Sequence, residues 1–279
     1  MERTIGELAS RPVISVEAET PVIEALKLMS ARRISCIVVL LNSEPVGILT
    51  ERDVVFAANW VIGQPALKMR EVMSKPVLTA PAATTIAEAY QLFRENQLRH
   101  LIVLGAQMEV DGIFTQTDLV RACRGTIFSD THEVSLLMSS KVCHVSSQVT
   151  ARHALSLMAS HAISGVVVVE GRCPVGVFTE RDVVRLVAAG VDISNLLVGT
   201  VMTTVLVTIP ASASPTQAID LMQNHQVRRL LVLDRNGALA GVLTQTDLSR
   251  ILDKLDVDFN DRLTNPCSAT AVGSTLALH

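Results

Sequence analysis

Apolar and polar positions follow one another along the chain in an order that predicts small β/α units. Residues 13–16 are apolar enough for a short strand, and residues 22–29 carry apolar side chains at helical spacing. Thr20 is predicted to cap this helix, with Pro21 in its first turn. The chain therefore begins with a strand followed by a helix.

The next residues complete the unit. A continuous apolar run over residues 36–40 is typical of a strand buried on both faces. Asn42 and Ser43 favour a turn. A third strand is predicted over residues 46–50 and a closing helix over residues 51–58. The order of the unit is β-α-β-β-α.

The same order recurs three more times. Further long helices are predicted over residues 86–96, 151–161 and 216–225, and further central strands over residues 101–104, 166–169 and 230–233. The predicted fold class is therefore α/β (α+β), built from four β-α-β-β-α units.

A short motif, Gly-h-h-Thr-x-x-Asp with h apolar, ends each unit. Its four pairs are Thr50 with Asp53, Thr115 with Asp118, Thr179 with Asp182, and Thr244 with Asp247. A longer offset of 129 residues relates the first half of the chain to the second, so that a pair of units is duplicated whole. Because a unit of roughly 65 residues buries little surface alone, we expect the units to pack in pairs.

Composition excludes several classes of function. The chain of 279 residues has a net charge of -3 and only 3% aromatic residues, which argues against nucleic acid as a partner. Five cysteines without CxxC spacing predict reduced thiols in a cytoplasmic protein, and no HExxH or histidine cluster predicts a metal site. The uncharged stretch at residues 193–219 contains Pro210 and Pro215, and we expect no membrane span. The sequence contains neither a nucleophile elbow nor a P-loop motif, and we therefore expect no enzyme.

The unit order and the repeated motif together resemble the CBS domain (the cystathionine-β-synthase motif) over about residues 6–252. Two CBS units normally pack as a Bateman module, so the resemblance implies two Bateman modules with pseudo-twofold symmetry. The predicted units are residues 6–60, 69–124, 134–190 and 198–252. Residues 253–279 are predicted to form a charged helix extension and a flexible tail.

In the CBS family, the clefts between paired units bind adenosine derivatives. The resemblance implies AMP, ADP or ATP as the ligand, ahead of S-adenosylmethionine or a cyclic dinucleotide. It implies that the four motif aspartates contact the ribose and that the threonines lie beside the ribose or phosphate. It implies phosphate contacts for basic residues at matching positions, which are Arg33, Arg99, His100, Arg228 and Arg229. The third unit departs from this pattern, because Ala162 stands where the first unit has Arg33.

The residue types alone leave alternatives open. Thr-x-x-Asp is also a helix N-cap, and basic residues at strand ends can extend into water as well as bind phosphate. Arg52 and Arg181 lie in the first turn of the closing helices, where the helix dipole disfavours a cation. We expect an anion to offset the positive charge of Arg52 and Arg181. This anion is Glu51 or Glu180, or a bound phosphate.

Three functions follow as hypotheses. The first is an adenosine-nucleotide sensor that transmits ligand binding to a partner or output domain. The second is a ligand-free scaffold or dimerisation module, in which every motif is only a cap. The third is a metal- or redox-responsive regulator. One chain can close two modules together, or two chains can do so as a homodimer.

Overall fold

The computed structural model of the protein describes residues 3–64, 66–124, 132–171 and 173–254. These residues form four three-stranded sheets, each with its helices, in the predicted order. The strands are β1 Ser15–Glu17, β2 Cys36–Leu41, β3 Glu44–Thr50, β4 Thr79–Pro81, β5 His100–Leu104, β6 Val110–Thr115, β7 His144–Ser146, β8 Gly165–Glu170, β9 Cys173–Thr179, β10 Thr208–Pro210, β11 Arg229–Leu233 and β12 Leu239–Thr244. The helices are α1 Ile5–Leu8, α2 Val22–Arg32, α3 Glu51–Gly63, α4 Met69–Val72, α5 Ile86–Asn96, α6 Gln116–Ala122, α7 Ala151–Ser160, α8 Glu180–Ala188, α9 Pro215–Asn224 and α10 Gln245–Lys254.

Each sheet has the same topology and register. The first strand pairs in parallel with the central strand, and the central strand pairs antiparallel with the third. The motif threonine that ends the third strand lies opposite the first residue of the central strand. These pairs are Cys36 with Thr50, His100 with Thr115, Gly165 with Thr179, and Arg229 with Thr244. The register therefore places a different side chain beside the motif in each unit.

The units pack in pairs as the duplication predicts. Side chains from the sheets of the first two units, including Val38 and Ile102, form one apolar cluster, and Val167 and Leu231 form its equivalent in the last two. We refer to the first pair of units as module 1 and to the second pair as module 2.

The segment that precedes each unit packs on the other unit of the same module. Ile5 lies in the core of the second unit and its N–H donates to the carbonyl of Thr84. Met69, which leads into the second unit, lies in the core of the first. The two units of a module are therefore interlocked through their leading segments.

The two modules pack on each other through helices. One buried core joins α2 and α3 of the first unit to α7 and α8 of the third. A second core joins the second unit to the fourth, where α6 contacts α10. Both modules of this one chain thus share their hydrophobic interior.

Local boundaries differ from the sequence prediction at the start of the first unit. The first strand is Ser15–Glu17, two residues later than predicted. Pro21, not Thr20, occupies the N-cap position of α2, and no side chain caps this helix. The Val22 N–H donates to the Leu67 carbonyl, and the Thr20 carbonyl accepts a hydrogen bond from the Met69 N–H, so that the leading segment of the second unit is held at the start of α2. Of the predicted tail, residues 253 and 254 end α10 and the rest lies outside the described residues.

Candidate functional site

The four Thr-x-x-Asp motifs all cap the closing helices. In each unit the aspartate N–H donates to the threonine Oγ1, and the threonine N–H donates to the aspartate Oδ2. The distances in the first unit are 3.3 Å and 2.7 Å. Such reciprocal bonds satisfy helix N–H groups that have no partner within the helix. The capping interpretation is therefore present in every unit, and it occupies only one oxygen of each aspartate.

The second oxygen, Oδ1, distinguishes the odd units from the even ones. Ser74 Oγ donates to Asp53 Oδ1 at 3.0 Å, and Thr203 Oγ1 donates to Asp182 Oδ1 at 3.2 Å. Arg185 adds a further bond of 3.2 Å to Asp182 Oδ1. In the first and third units, hydroxyl groups of the same module thus already occupy this oxygen.

In the even units Oδ1 faces a looser partner. Arg121 lies 3.7 Å from Asp118 Oδ1, and Arg250 lies 3.7 Å from Asp247 Oδ1. These two arginine side chains are 55% and 69% exposed, so solvent screens both ion pairs. Burial raises the pKa of Asp118, while its bonds to Thr115 and the charge of Arg121 act in the opposite direction. Oδ1 of Asp118 and of Asp247 therefore lacks the hydroxyl bond that occupies it in the odd units.

Asp118 opens into the cleft between the first two units, which we call the Asp118 cleft. Its volume is about 1170 Å³, part of it open to solvent. Apolar walls such as Ile34 face four cations, and two of these come from module 2. The cations are Arg33, Arg121, Arg181 and Arg228. The cleft is thus cationic and is completed by the other module.

Asp247 opens into the equivalent cleft of module 2, which we call the Asp247 cleft. Its volume is about 830 Å³ with the part open to solvent included, and it too is lined by four cations, Arg52, Lys141, Arg229 and Arg250. Ala162 stands in this cleft at the position of Arg33, as the sequence indicated. Lys141 supplies a cation at the position where module 1 has Pro12, and sequence reasoning missed it.

Two further spaces adjoin these clefts. One of about 680 Å³ lies in module 2 and is lined by Thr179, Arg181 and Arg229 among others. Another of about 470 Å³ lies between the modules, where Arg99, His100, Arg228 and Arg229 meet. The structure therefore brings the predicted basic residues of both even units to one central cavity.

Glu51 and Glu180 cross-link the modules at their centre. Glu51 accepts hydrogen bonds from Arg228 and, at 3.3 Å, from Nε of Arg181. Glu180 Oε1 lies 3.6 Å from Nε of Arg52 and 3.4 Å from Nη2 of Arg99. Arg52 and Arg181, in the first turns of α3 and α8, therefore each lie beside a glutamate of the opposite module. Sequence reasoning did not foresee these contacts across modules.

β5 begins with His100 and β11 begins with the longer Arg229, and the neighbouring residues differ accordingly. His100 Nε2 lies 3.1 Å from Ser35 Oγ, and Arg229 bonds to the backbone and hydroxyl oxygens of Ser164. A side-chain carbon on Gly165 would collide with the Arg229 guanidinium, whereas the first unit has Cys36 at this position. Glycine thus leaves room for the longer cation in module 2.

Burial sets the charge of these groups. Burial, together with the charges of Arg99 and Arg228, lowers the pKa of His100 to about 3. Burial and the charge of Arg228 lower the pKa of Arg229 to about 10, so it stays protonated at neutral pH. The central cavity therefore holds a neutral imidazole in its module 1 half and a cation in its module 2 half.

The low pKa of His100 in the folded protein predicts that stability depends on pH. An unfolded histidine has a pKa of about 6.5, so between about pH 6.5 and pH 3 the unfolded chain binds a proton that folded His100 does not. The free energy of unfolding contributed by His100 should be fully present above pH 6.5 and fall as pH is lowered, by at most about 1.4 kcal/mol per pH unit. Urea unfolding of His100→Gln between pH 4 and 7 should show a shallower slope than the unaltered protein.

His153 provides the control for this experiment, because it is an exposed histidine on α7. His153→Gln should retain the slope of the unaltered protein. Equal slopes for His100→Gln and the unaltered protein would contradict the neutral, buried imidazole.

The comparisons with known proteins agree with this architecture. The sequence model of the CBS domain matches residues 5–59, 69–125, 133–189 and 198–254. A CBS domain-containing protein of Bacillus subtilis is 37% identical over 113 residues, which are 40% of this chain and 79% of that protein. An uncharacterized protein of Methanopyrus kandleri is 31% identical over 34% of this chain, and an inosine-5'-monophosphate dehydrogenase of Chlorobaculum tepidum is 34% identical over 38% of it. These two matches span 49% and 22% of the relatives' own lengths.

Two solved structures share the four-unit fold. A Methanocaldococcus jannaschii protein, described as a proposed archaeal homolog of g-AMPK, superposes with a TM-score of 0.78 at 18% identity. It covers 89% of this chain and 99% of its own. An uncharacterized conserved protein of Pyrococcus horikoshii gives a TM-score of 0.60 at 16% identity, covering 90% and 100%.

Two further observations concern the described residues. Each helix in these parts of the chain is too short or too polar to cross a membrane. No group of three or more His, Cys, Asp or Glu side chains among them is arranged to hold a metal ion.

Proposed function

Because the chain belongs to the CBS-domain family, we propose that it is a regulatory module, not an enzyme, and that it binds an adenosine nucleotide. We place AMP, ADP or ATP in the Asp118 and Asp247 clefts. The observation that carries this assignment is the state of Oδ1, which is bonded to a hydroxyl in Asp53 and Asp182 and only loosely paired with an exposed arginine in Asp118 and Asp247.

The ribose would lie on the motif aspartates. An ionised carboxylate can accept both hydroxyl protons of a ribose, in charge-assisted hydrogen bonds. The threonine of each motif stays on the helix N-terminus as its cap. Ser10 and Ser139, at the positions of Ser74 and Thr203, line the two even clefts without an observed bond to Asp118 or Asp247.

The phosphates would lie on the cations. Each even cleft contains four of them, which suits a ligand of one to three phosphates better than an uncharged nucleoside. Arg181 and Arg228 belong to module 2 but line the Asp118 cleft, so a ligand there would touch both modules. Binding could then bias the arrangement of the modules, which an output domain or partner protein would read.

The test is nucleotide binding by calorimetry on the full chain, with AMP, ADP and ATP. We expect two sites per chain. Asp118→Asn and Asp247→Asn should each weaken binding in their own cleft about 10–100-fold, because one charge-assisted pair with the ribose is lost. Asparagine keeps a side-chain oxygen for the threonine N–H, so the helix should remain capped.

Asp53→Asn and Asp182→Asn are the matched controls, since they make the same change in the same motif. They should leave both sites intact. If Asp53→Asn and Asp182→Asn abolished the two sites, while Asp118→Asn and Asp247→Asn did not weaken them, the assignment of the clefts would be wrong.

The scaffold alternative also has support in the structure. All four motifs form complete caps, and the modules share two apolar cores. The same calorimetric titration distinguishes the scaffold from the nucleotide sensor. Absence of binding by every adenosine compound, with ligand carried through purification excluded, would favour the scaffold.

A further inference from the structure

Glu51 lies buried directly behind the cations of the Asp118 cleft. The Glu51 side chain is 2% exposed, whereas those of Arg181 and Arg228 are 44% and 32% exposed. Both arginines bond to Glu51 and both line the cleft. The same two arginines therefore bond to a buried carboxylate and line the cleft.

This carboxylate has the chemistry of the proposed ligand's phosphate. Guanidinium groups bind carboxylates and phosphates through the same fork of N–H donors. Burial alone would lower the pKa of Arg228, but the charge and hydrogen bond of Glu51, with smaller contributions from Glu180 and Cys36, together hold the pKa above its ordinary value. Glu51 thus already supplies the negative charge that these cations require.

We infer that Glu51 is an internal competitor of the nucleotide's phosphate in the Asp118 cleft. This inference rests on the proposed function and adds a regulatory element to it. A phosphate on Arg181 and Arg228 shares their donors with Glu51 and is repelled by its charge. The affinity of the cleft for phosphorylated ligands is set below what its cations alone would give.

The competition also connects the cleft to the contact between modules. Glu51 belongs to module 1, and its two partners belong to module 2. A phosphate that draws the arginines away weakens this contact, and by linkage the contact weakens phosphate binding by the same factor. An uncharged nucleoside in the same cleft would not take part in this exchange.

Glu180 supplies the comparison that the repeat offers. It stands at the equivalent position of module 2 and is buried to a similar degree. Its partner Arg52 lines the Asp247 cleft, while its other partner Arg99 lines only the central cavity among the described spaces. Removing the charge of Glu180 should therefore act less on the Asp118 cleft than removing that of Glu51.

The experiment uses the full chain with Asp247→Asn, so that the Asp247 cleft is weakened and the Asp118 cleft is the tighter site in the titration. Adenosine, AMP and ATP are titrated by calorimetry into this protein, with and without Glu51→Gln. We expect Glu51→Gln to tighten AMP about tenfold and ATP by more, and to leave adenosine unchanged. Glu180→Gln in the same background should change AMP binding by less than about threefold.

Unchanged or weaker AMP binding in Glu51→Gln would overturn the inference, and so would an equal gain for adenosine. Glu51→Asp guards against a folding defect, because it keeps the charge and withdraws the carboxylate by one methylene. It should shift AMP affinity in the same direction by a smaller factor. Failure of the proposed function has a different signature, since the protein with intact Glu51 would then bind none of the three compounds.

Discussion

Residues 1–124, produced without module 2, should form a homodimer instead of a stable monomer. The reason is the buried core that joins α2 and α3 to the helices of the third unit. Val54 and Ala58 of α3 belong to this core, and both are buried in the intact chain. Without module 2, an apolar helix face would meet water, at a cost of about 25 cal/mol for each Å² of apolar surface.

The charges at the interface permit this dimer. Glu180 pairs with Arg52 and Arg99, which are both in module 1. Glu51 stands at the position of Glu180 in the duplicated sequence, so Glu51 of one copy could meet Arg52 and Arg99 of another. Two copies of module 1 would then repeat the ion pairs of the intact chain.

Light scattering on a size-exclusion column would measure the mass. We expect twice the mass of residues 1–124. Glu51→Arg, which would place like charges together across the dimer, should reduce it to the single mass or to aggregate. Adding residues 132–279 to residues 1–124 should yield a mixed pair. A monomer of residues 1–124 that unfolds cooperatively would show that the shared core contributes little.

Phe178→Ala should lower the free energy of unfolding by about 3–5 kcal/mol. Phe178 is 1% exposed and lies in β9, within the core that both modules share. Truncation removes the ring and leaves a cavity in the core that both modules share, and the walls of such a cavity relax only in part. Urea unfolding of the full chain measures the change.

The repeat provides the matched control for this substitution. The equivalent position is Leu49 in the first unit and Leu243 in the fourth, both of them buried. Phe178→Leu reproduces a side chain that the fold already accepts there, and should cost less than about 1.5 kcal/mol. Equal losses for the alanine and leucine variants would mean that shape, not volume, limits this site.

The sequence predicted the unit order because that order depends on local patterns. Apolar runs at the central strands and helical spacing at α2 reflect burial by near neighbours, and these elements appear in the structure. The predicted cap of α2 was wrong, since Pro21 occupies the N-cap position and the Val22 N–H donates to the Leu67 carbonyl. A contact with a later segment overrode the local capping signal.

The candidate site was predictable only in part. The motif threonines and aspartates, and the cations of the even units, are read directly from the repeat. The difference between Asp53 and Asp118 is not, because it depends on Ser74, 21 residues away and outside the motif. The ion pair of Glu51 with Arg228 joins residues 177 positions apart, and no local pattern indicates it.

The core shared between the modules has a consequence during synthesis. A ribosome that has released residue 124 has delivered all of module 1, but the helices of the third unit that cover α3 extend to Ala188. At about 5–20 residues per second, the intervening 64 residues take roughly 3–13 seconds. During this time nascent module 1 exposes an uncovered apolar face on every translating ribosome. Neighbouring nascent chains on one messenger could pair through this face before their own second halves arrive.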